Sequence, residues 1–166
     1  MIVAVDVYYK ETKAKTVSIE FENWEDEVPG KINILELEEF AEYITGEFYK
    51  RELPCIIKVL EMSDLSQTEA IIIDGYVVLN NNGKPGLGGY LYEALNSQVP
   101  IIGVAKKSFF SNKKFIKEVL RGSSKNPLYI SSKGLALEDA ATFIRKMNGK
   151  YRIPTLLKIL DQKTRE

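Results

Sequence analysis

The stretch that decides the fold is EAIIIDGYVV, residues 69–78. Three isoleucines lead into Asp74 and Gly75, and three further apolar residues follow. A short apolar run that ends in Asp-Gly is typical of a buried strand delivering a carboxylate to the edge of a sheet. Because an ionised carboxylate is costly to bury, Asp74 is expected to need a partner. The sequence contains no histidine, so we predict that this partner is a metal ion shared with other carboxylates.

Short runs rich in β-branched and aromatic residues predict the other strands, and longer segments with apolar residues on one side predict helices. Further strands are expected at 2–9, at 15–22, at the start of 31–45, at 100–105 and, as a hairpin around 122–126, within 115–131. Helices are expected at 47–62, 87–96, 136–147 and 154–163. Pro54 favours a start of the first helix near Arg51, because proline is accepted in a first helical turn. The later part of 31–45, ELEEFAEYI, could also be helical.

This order of elements predicts a mixed α/β domain, in which an antiparallel three-strand meander joins parallel strands and helices flank the sheet. The chain has 166 residues with 45% hydrophobic content, which is enough for one substantial core. Repeats, low-complexity stretches and linkers are not evident. We therefore expect a single domain spanning residues 1–166.

Charge is balanced overall but separated along the chain. The 23 basic and 23 acidic residues give a net charge of zero, which argues against coating nucleic acid by bulk charge. Residues 20–52 hold eleven acids against three bases, whereas residues 106–133 hold eight bases against one acid. Each run could be a solvated face. Alternatively, they indicate an acidic metal cluster beside a phosphate-binding surface.

The residue types that are missing exclude several chemistries. Without histidine, Ser-His-Asp catalysis and His-based zinc sites are excluded, and the single Cys55 cannot build a thiolate zinc site. One cysteine also fits a reducing compartment. Neither a signal peptide nor a membrane-spanning run is evident, so a cytoplasmic protein is expected. What remains is the chemistry of carboxylates, lysine and hard metal ions.

Two acids lie in otherwise apolar strands, Asp6 within the first strand and Asp74 at the end of its own. One such acid is ordinary, since a satisfied carboxylate or an Asp-Gly turn is common. Two of them on neighbouring strands point to a site for Mg²⁺ or Mn²⁺, which prefer oxygen ligands. From this pattern alone, a metal site and two unconnected carboxylates remain equally open.

A family resemblance rests on six segments in order: VDVYY, EYITGEFYKRELP, IIIDG, PIIGVAK, PLYISS and YRIP, between Val5 and Pro154. Together they resemble the endonuclease V family. The resemblance implies a ribonuclease H-like fold. It also implies a divalent-metal-dependent nuclease that cuts a phosphodiester in DNA or RNA near a deaminated purine such as inosine.

The resemblance implies four catalytic residues. Asp6, Glu52 and Asp74 correspond to the metal-binding acids, and Lys106 to the lysine that ends the PIIGVAK strand. Such carboxylates could hold metal ions that activate water and stabilise the leaving oxygen, and a lysine could neutralise charge on phosphoryl oxygens. By residue chemistry alone, Glu52 could be an ordinary acid of a first helical turn, and Lys106 a surface lysine.

The wedge by which family members separate the strands, Pro-Tyr-Ile-Pro-Gly, corresponds to EYITG at residues 42–46. Both prolines are replaced, but Tyr43, Ile44 and Gly46 are present. The resemblance implies that these three residues contact nucleic acid, where Tyr43 could stack on a base. Tyr43 could equally pack in the core.

Two histidines that are usual in the family are absent. Asn80 stands at the first position and Gly134 at the second. Asn80 could hydrogen-bond a water or a phosphate, and so remains a candidate nucleic-acid contact with Lys106, but it cannot shuttle a proton near neutral pH. Loss of acid–base catalysis typically costs about 10²–10⁴-fold in rate.

Three functions therefore stay open. The first is a metal-dependent endonuclease, and the second is a catalytically silent nucleic-acid-binding protein on the same fold. The third is a small-molecule-binding α/β protein with a pocket near Asp74.

Overall fold

The computed structural model of the chain describes residues 1–38 and 48–166. The strands in these ranges are β1 (Ile2–Lys10), β2 (Lys13–Phe21), β3 (Lys31–Leu37), β4 (Ala70–Asp74), β5 (Ile101–Ala105), β6 (Lys117–Val119) and β7 (Leu128–Lys133). They form one sheet in the order β3-β2-β1-β4-β5-β7-β6. The first three strands are an antiparallel meander, and β4 and β5 run parallel to β1. β7 pairs antiparallel with both β5 and β6. The predicted mixed α/β sheet is thus confirmed.

The helices are α1 (Phe48–Leu60), α2 (Leu87–Ala94), α3 (Leu137–Lys146) and α4 (Thr155–Arg165). Short 3₁₀ helices, which the sequence did not predict, occupy Leu65–Gln67 and Phe110–Phe115. Among the described parts of the chain, no helix is long and apolar enough to span a membrane.

The predicted start of α1 near Arg51 is wrong, because the helix already begins at Phe48 and Pro54 lies inside it. Proline lacks an N–H, so it removes one i→i−4 hydrogen bond from the helix. The turns that follow bury Ile56 and Val59 against the sheet, and this packing offsets the lost bond.

Strand alternation divides the core into two layers. The even-numbered residues of β1 and β4, such as Ala4 and Ile72, pack in the cluster that contains α3 and α4. Odd-numbered residues, such as Val5 and Ile73, pack in the cluster that contains α1 and α2. Successive side chains of a strand point to opposite faces, so the parity of a position predicts which helix layer it meets.

Trp24, to which the sequence gave no function, belongs to the first of these layers. Its ring stacks on Phe143 with centroids 4.7 Å apart, and its indole N–H donates to Glu69 Oε1 at 2.8 Å. Both contacts are structural. They tie the segment after β2 to α3 and to the residue that precedes β4.

A buried arginine fixes the loop between α3 and α4. Arg121 is only 4% exposed. Its guanidinium donates to the backbone carbonyls of Met147, Asn148, Gly149, Tyr151 and Arg152. The neighbouring Gly122 has a φ of +58°, and a Cβ there would lie 2.0 Å from the Lys150 carbonyl oxygen. The loop is therefore packed tightly against the turn that follows β6.

We expect Arg121→Met to lower the free energy of unfolding by about 3 kcal/mol, because several buried carbonyls lose a charged donor at once. Urea denaturation measures the change. Arg145→Met is the matched control, since Arg145 is exposed on α3, and it should alter stability by less than about 0.5 kcal/mol. Equal stabilities of the two variants would show that Arg121 does not hold the loop.

Candidate active site

Strand pairing brings Asp6 and Asp74 together. β1 and β4 are parallel neighbours, and Val5 pairs with Ile73, so the two aspartates occupy the next position on each strand. Both positions are even-numbered and therefore face the α4 side of the sheet. The Asp6 carboxylate also accepts a hydrogen bond from the Val7 N–H at 2.9 Å.

A pocket on this side of the sheet holds the two aspartates together with Lys106, the residue that follows β5. Lys106 Nζ lies 4.0 Å from Asp74 Oδ2, and the two side chains are 47% and 51% exposed. The structure thus places the lysine predicted for phosphate binding beside one of the predicted metal ligands, at the mouth of the pocket.

Asp161, which the sequence analysis missed, lines the same pocket. It comes from α4, where Leu157 and Leu160 also line the pocket, and it pairs with Arg165 at 3.3 Å. An acid on the polar side of an amphipathic helix resembles any surface residue. The available signal was its position next to Leu160, which marks the border of the buried face.

Glu52 approaches from the other side of the sheet. It lies on α1 and lines a second pocket that also contains Asp74 and Gly75. Asp74 therefore belongs to both pockets, with Asp6 and Lys106 on one side and Glu52 on the other.

Burial and mutual repulsion disturb the titration of these acids. Burial, followed by repulsion from Asp74, raises the pKa of Asp6 to about 7, against small opposing effects of the Val7 N–H and Lys106. Burial, followed by repulsion from Asp6 and Asp74, raises the pKa of Glu52 to about 7. Burial also raises the pKa of Asp74, and Lys106 opposes the shift. Because half of the Asp74 side chain is exposed, we assign the stronger burial effect to Asp6 and Glu52.

The chemistry of this donor set fits a divalent cation. Carboxylates that are partly buried and repel one another are stabilised by a positive ion, and Mg²⁺ and Mn²⁺ prefer oxygen ligands. Within residues 1–38 and 48–166, the structure shows no group of three or more His, Cys, Asp or Glu side chains that could hold a metal ion. The fit therefore rests on the charge and burial of Asp6, Glu52 and Asp74.

Buried hydrogen bonds fix the segment that follows Asp74. The Ser131 hydroxyl accepts from the Val77 N–H at 3.0 Å, and the Asn112 amide donates to the Val78 carbonyl at 2.6 Å. Ser131 and Asn112 are buried, and the sequence analysis found a role for neither. Such contacts join distant segments and leave no local pattern.

The remaining predicted site residues differ in their surroundings. The Asn80 side-chain oxygen accepts from the backbone N–H groups of Asn82 and Lys84, both at 3.0 Å, and so closes its own loop. Gly134 has a φ of +85°, and a Cβ there would lie 2.8 Å from the Tyr92 ring. A histidine would be strained at this position. The predicted nucleic-acid contacts Tyr43, Ile44 and Gly46 lie outside the described residues.

The fold and the site together define a ribonuclease H-like α/β protein with a carboxylate-rich centre where β4 ends beside the middle of β1. The Endonuclease V family model matches residues 1–120. The chain therefore belongs to the endonuclease V family.

Individual relatives agree with this assignment. The chain is 31% identical over 174 residues to a bifunctional methyltransferase/endonuclease of Picrophilus torridus, an alignment that covers 98% of this chain and 53% of that protein. It thus spans about half the length of that relative.

Solved structures of endonuclease V have the same fold. Endonuclease V of Ciona intestinalis, in complex with DNA that contains an inosine followed by a ribo-adenosine, superposes with a TM-score of 0.81 at 18% identity. That match covers 99% of this chain and 83% of the Ciona chain. Human endonuclease V gives a TM-score of 0.73 at 21% identity, over 99% of this chain and 82% of the human chain.

The raised pKa values predict how stability changes with pH in the presence of EDTA. The folded-state pKa values of Asp6 and Glu52 are about 7, above their ordinary values of 3.8 and 4.5. The folded chain therefore binds more protons than the unfolded chain between about pH 4 and pH 7, and the free energy of unfolding falls as pH rises through this range.

Asp6→Asn removes one of these titrations. We expect the variant to be more stable than the parent above pH 7, by about 2 kcal/mol, and to lose less stability between pH 4 and pH 7. Urea denaturation at a series of pH values measures both effects. Asp139→Asn is the control, since Asp139 is exposed on α3. If Asp6→Asn and the parent keep the same pH slope, the Asp6 carboxyl is not destabilised by its surroundings.

Proposed function

We propose that residues 1–166 form a single-domain, divalent-metal-dependent endonuclease. Its reaction is hydrolysis of a phosphodiester near an inosine-type or otherwise perturbed base in DNA or RNA. The observation that carries the proposal is the placement of Asp6 and Asp74 on paired strands, with Lys106 Nζ 4.0 Å from Asp74. Family membership supports the nuclease class, and the inosine-containing DNA bound to the Ciona enzyme supports the substrate.

In this proposal Asp6, Glu52 and Asp74 hold Mg²⁺ or Mn²⁺. The bound metal would supply an activated water and charge stabilisation for the leaving oxygen. Lys106 contacts a non-bridging phosphate oxygen and neutralises charge there, since its amine already lies at the mouth of the pocket beside Asp74.

Recognition of the base beside the scissile phosphate is assigned to the other residues that the sequence analysis gave as candidate nucleic-acid contacts. Tyr43, Ile44 and Gly46 are proposed to contact the perturbed base, with Tyr43 stacking on it. Asn80 is proposed as a phosphate or water contact through its side-chain NH₂, because the side-chain oxygen is engaged within the loop.

The alternative is a nucleic-acid-binding protein without turnover. It is favoured by the two positions at which the family usually has histidine, where Asn80 closes a loop and Gly134 has a positive φ. Neither residue can transfer a proton near neutral pH.

A nicking assay separates the two functions. The parent protein should cut an inosine-containing oligonucleotide in Mg²⁺ or Mn²⁺, more slowly or not at all when the base is normal, and EDTA should stop the reaction. Asp6→Ala and Asp74→Ala should each lower the rate by about 10²-fold or more, because each removes a ligand of the cation. Lys106→Ala should have an effect of the same size, because it removes charge stabilisation at the reacting phosphate. Asp139→Ala, on the exposed side of α3, should cut like the parent.

The possible results have distinct meanings. Undiminished cleavage by both aspartate variants would refute the assigned metal ligands. Salt-sensitive binding of the oligonucleotide without cleavage in either metal would establish the alternative function. Absence of both binding and cleavage would refute the nucleic-acid function itself.

A further inference from the structure

Another groove adjoins the pocket that holds Asp6, Asp74 and Lys106, which we call the acidic pocket. It is lined by Lys106, Tyr151, Arg152, Ile153, Lys158 and Asp161. Three of these residues, Lys106, Ile153 and Asp161, also line the acidic pocket. A chain held at the acidic pocket can therefore extend into this groove without leaving the protein surface.

The groove is basic. Lys106, Arg152 and Lys158 carry three positive charges among its lining residues, against the single negative charge of Asp161. Asp161 is paired with Arg165 at 3.3 Å, and Lys106 lies 4.0 Å from Asp74, so the excess of positive charge comes from Arg152 and Lys158. The excess of positive charge is local, since the whole chain has a net charge of zero. Such a groove can attract an anionic polymer locally although the protein is neutral overall.

Tyr151 gives the groove an exposed aromatic face. Its side chain is 67% exposed, and Lys150 Nζ lies 5.6 Å from the ring centroid. Because this large ring is exposed, it lacks the stabilisation that burial of its apolar surface would give. An aromatic face beside lysines is the arrangement on which proteins stack the bases of single-stranded nucleic acids while they bind the phosphates.

The backbone that presents this ring is fixed. Arg121 Nη1 donates to the Tyr151 carbonyl at 2.8 Å. The guanidinium of the adjacent Arg152 donates to the carbonyls of Pro127, at 2.8 Å, and Lys106. Tyr151 is thus held at a set position relative to the proposed phosphate-binding lysine. A base that stacks on it meets a platform whose backbone is already ordered, which lowers the entropic cost of binding.

We propose that this groove binds a single-stranded segment of the substrate strand beyond the scissile phosphate. Tyr151 stacks on an unpaired base, and Lys150 and Lys158 contact the phosphates on either side of it. The inference rests on the proposed function, because the groove is assigned to the strand that the acidic pocket holds. An acidic peptide could also pair with the lysines. A polynucleotide is favoured because the groove shares lining residues with the acidic pocket, where the scissile phosphate is proposed to bind.

Tryptophan fluorescence tests the stacking directly. The chain has a single tryptophan, Trp24, which is 7% exposed, so Tyr151→Trp adds one exposed reporter to a constant background. Titration with a twelve-residue oligothymidylate in EDTA should quench the added fluorescence, whereas the parent protein should show little change. Binding measured by anisotropy without any quenching would overturn the stacking role.

Affinity provides a second, independent readout. Tyr151→Ala should weaken binding of the oligonucleotide about tenfold, and Tyr151→Phe should bind like the parent, because it keeps the ring. Met62→Ala is the control, since Met62 is also a partly exposed apolar residue, at 46%, and follows α1 on the opposite side of the sheet. Parent-like affinity of Tyr151→Ala would overturn the proposal.

The phosphate contacts are tested by salt dependence. Lys158→Ala should reduce the slope of log affinity against log salt by about 0.7, the value for one phosphate contact to a single strand. Lys58→Ala, which removes a lysine that is 60% exposed on α1, should leave the slope unchanged. An equal change in both variants would mean that only overall charge matters, which overturns the assignment of Lys158.

These outcomes separate the groove from the nuclease function. A parent protein that binds neither the oligothymidylate nor the inosine-containing oligonucleotide, and cuts neither, would refute both. A parent protein that cuts the inosine-containing oligonucleotide but does not bind the oligothymidylate would refute the groove alone. A parent protein that binds and cleaves, with Tyr151→Ala unaffected in either property, would refute the groove alone.

Discussion

The parallel pairing of β1 with β4 is the constraint on which the site depends. The register that sets Val5 opposite Ile73 brings two carboxylates, distant in sequence, side by side on the α4 face. A slip of one residue would turn one of them to the opposite face, since side chains alternate along a strand. The isoleucines of β4, buried on both faces, make such a slip costly. The apolar residues that bury β4 therefore also fix the position of the acid at its end.

This arrangement is unfavourable for stability when no cation is bound. Burial and mutual repulsion raise the pKa values of Asp6 and Glu52 to about 7, so the folded chain destabilises their charged forms. The two apolar layers on either side of the sheet offset that cost. Acids with strongly raised pKa values cluster at functional sites. Under the proposed function, the same repulsion that weakens the fold favours the binding of a positive ion.

How much could be predicted from the sequence depends on how far apart along the chain the interacting residues lie. Strand patterns are local, so all seven strands and the exposed position of Lys106 could be anticipated. Glu52 depended on a family resemblance, because an acid in a helical turn has no distinctive neighbours. Asp161 and Ser131 were missed, since their roles arise only when α4 and β7 pack beside the site, and for Asp161 the local signal was no more than its position next to Leu160. The start of α1 was misplaced because packing outweighed the local effect of Pro54.

The two missing histidines show how backbone geometry limits the chemistry of the site. The Asn80 oxygen accepts two backbone N–H groups of its own loop, a role that an imidazole cannot reproduce with both bonds. Gly134 combines a positive φ with close approach of the Tyr92 ring, which excludes a larger side chain. Both positions are therefore committed to shaping loops. Any proton transfer in a reaction at this centre must involve its carboxylates, its lysine or water, and this sets the present site apart from histidine-assisted phosphodiester hydrolysis.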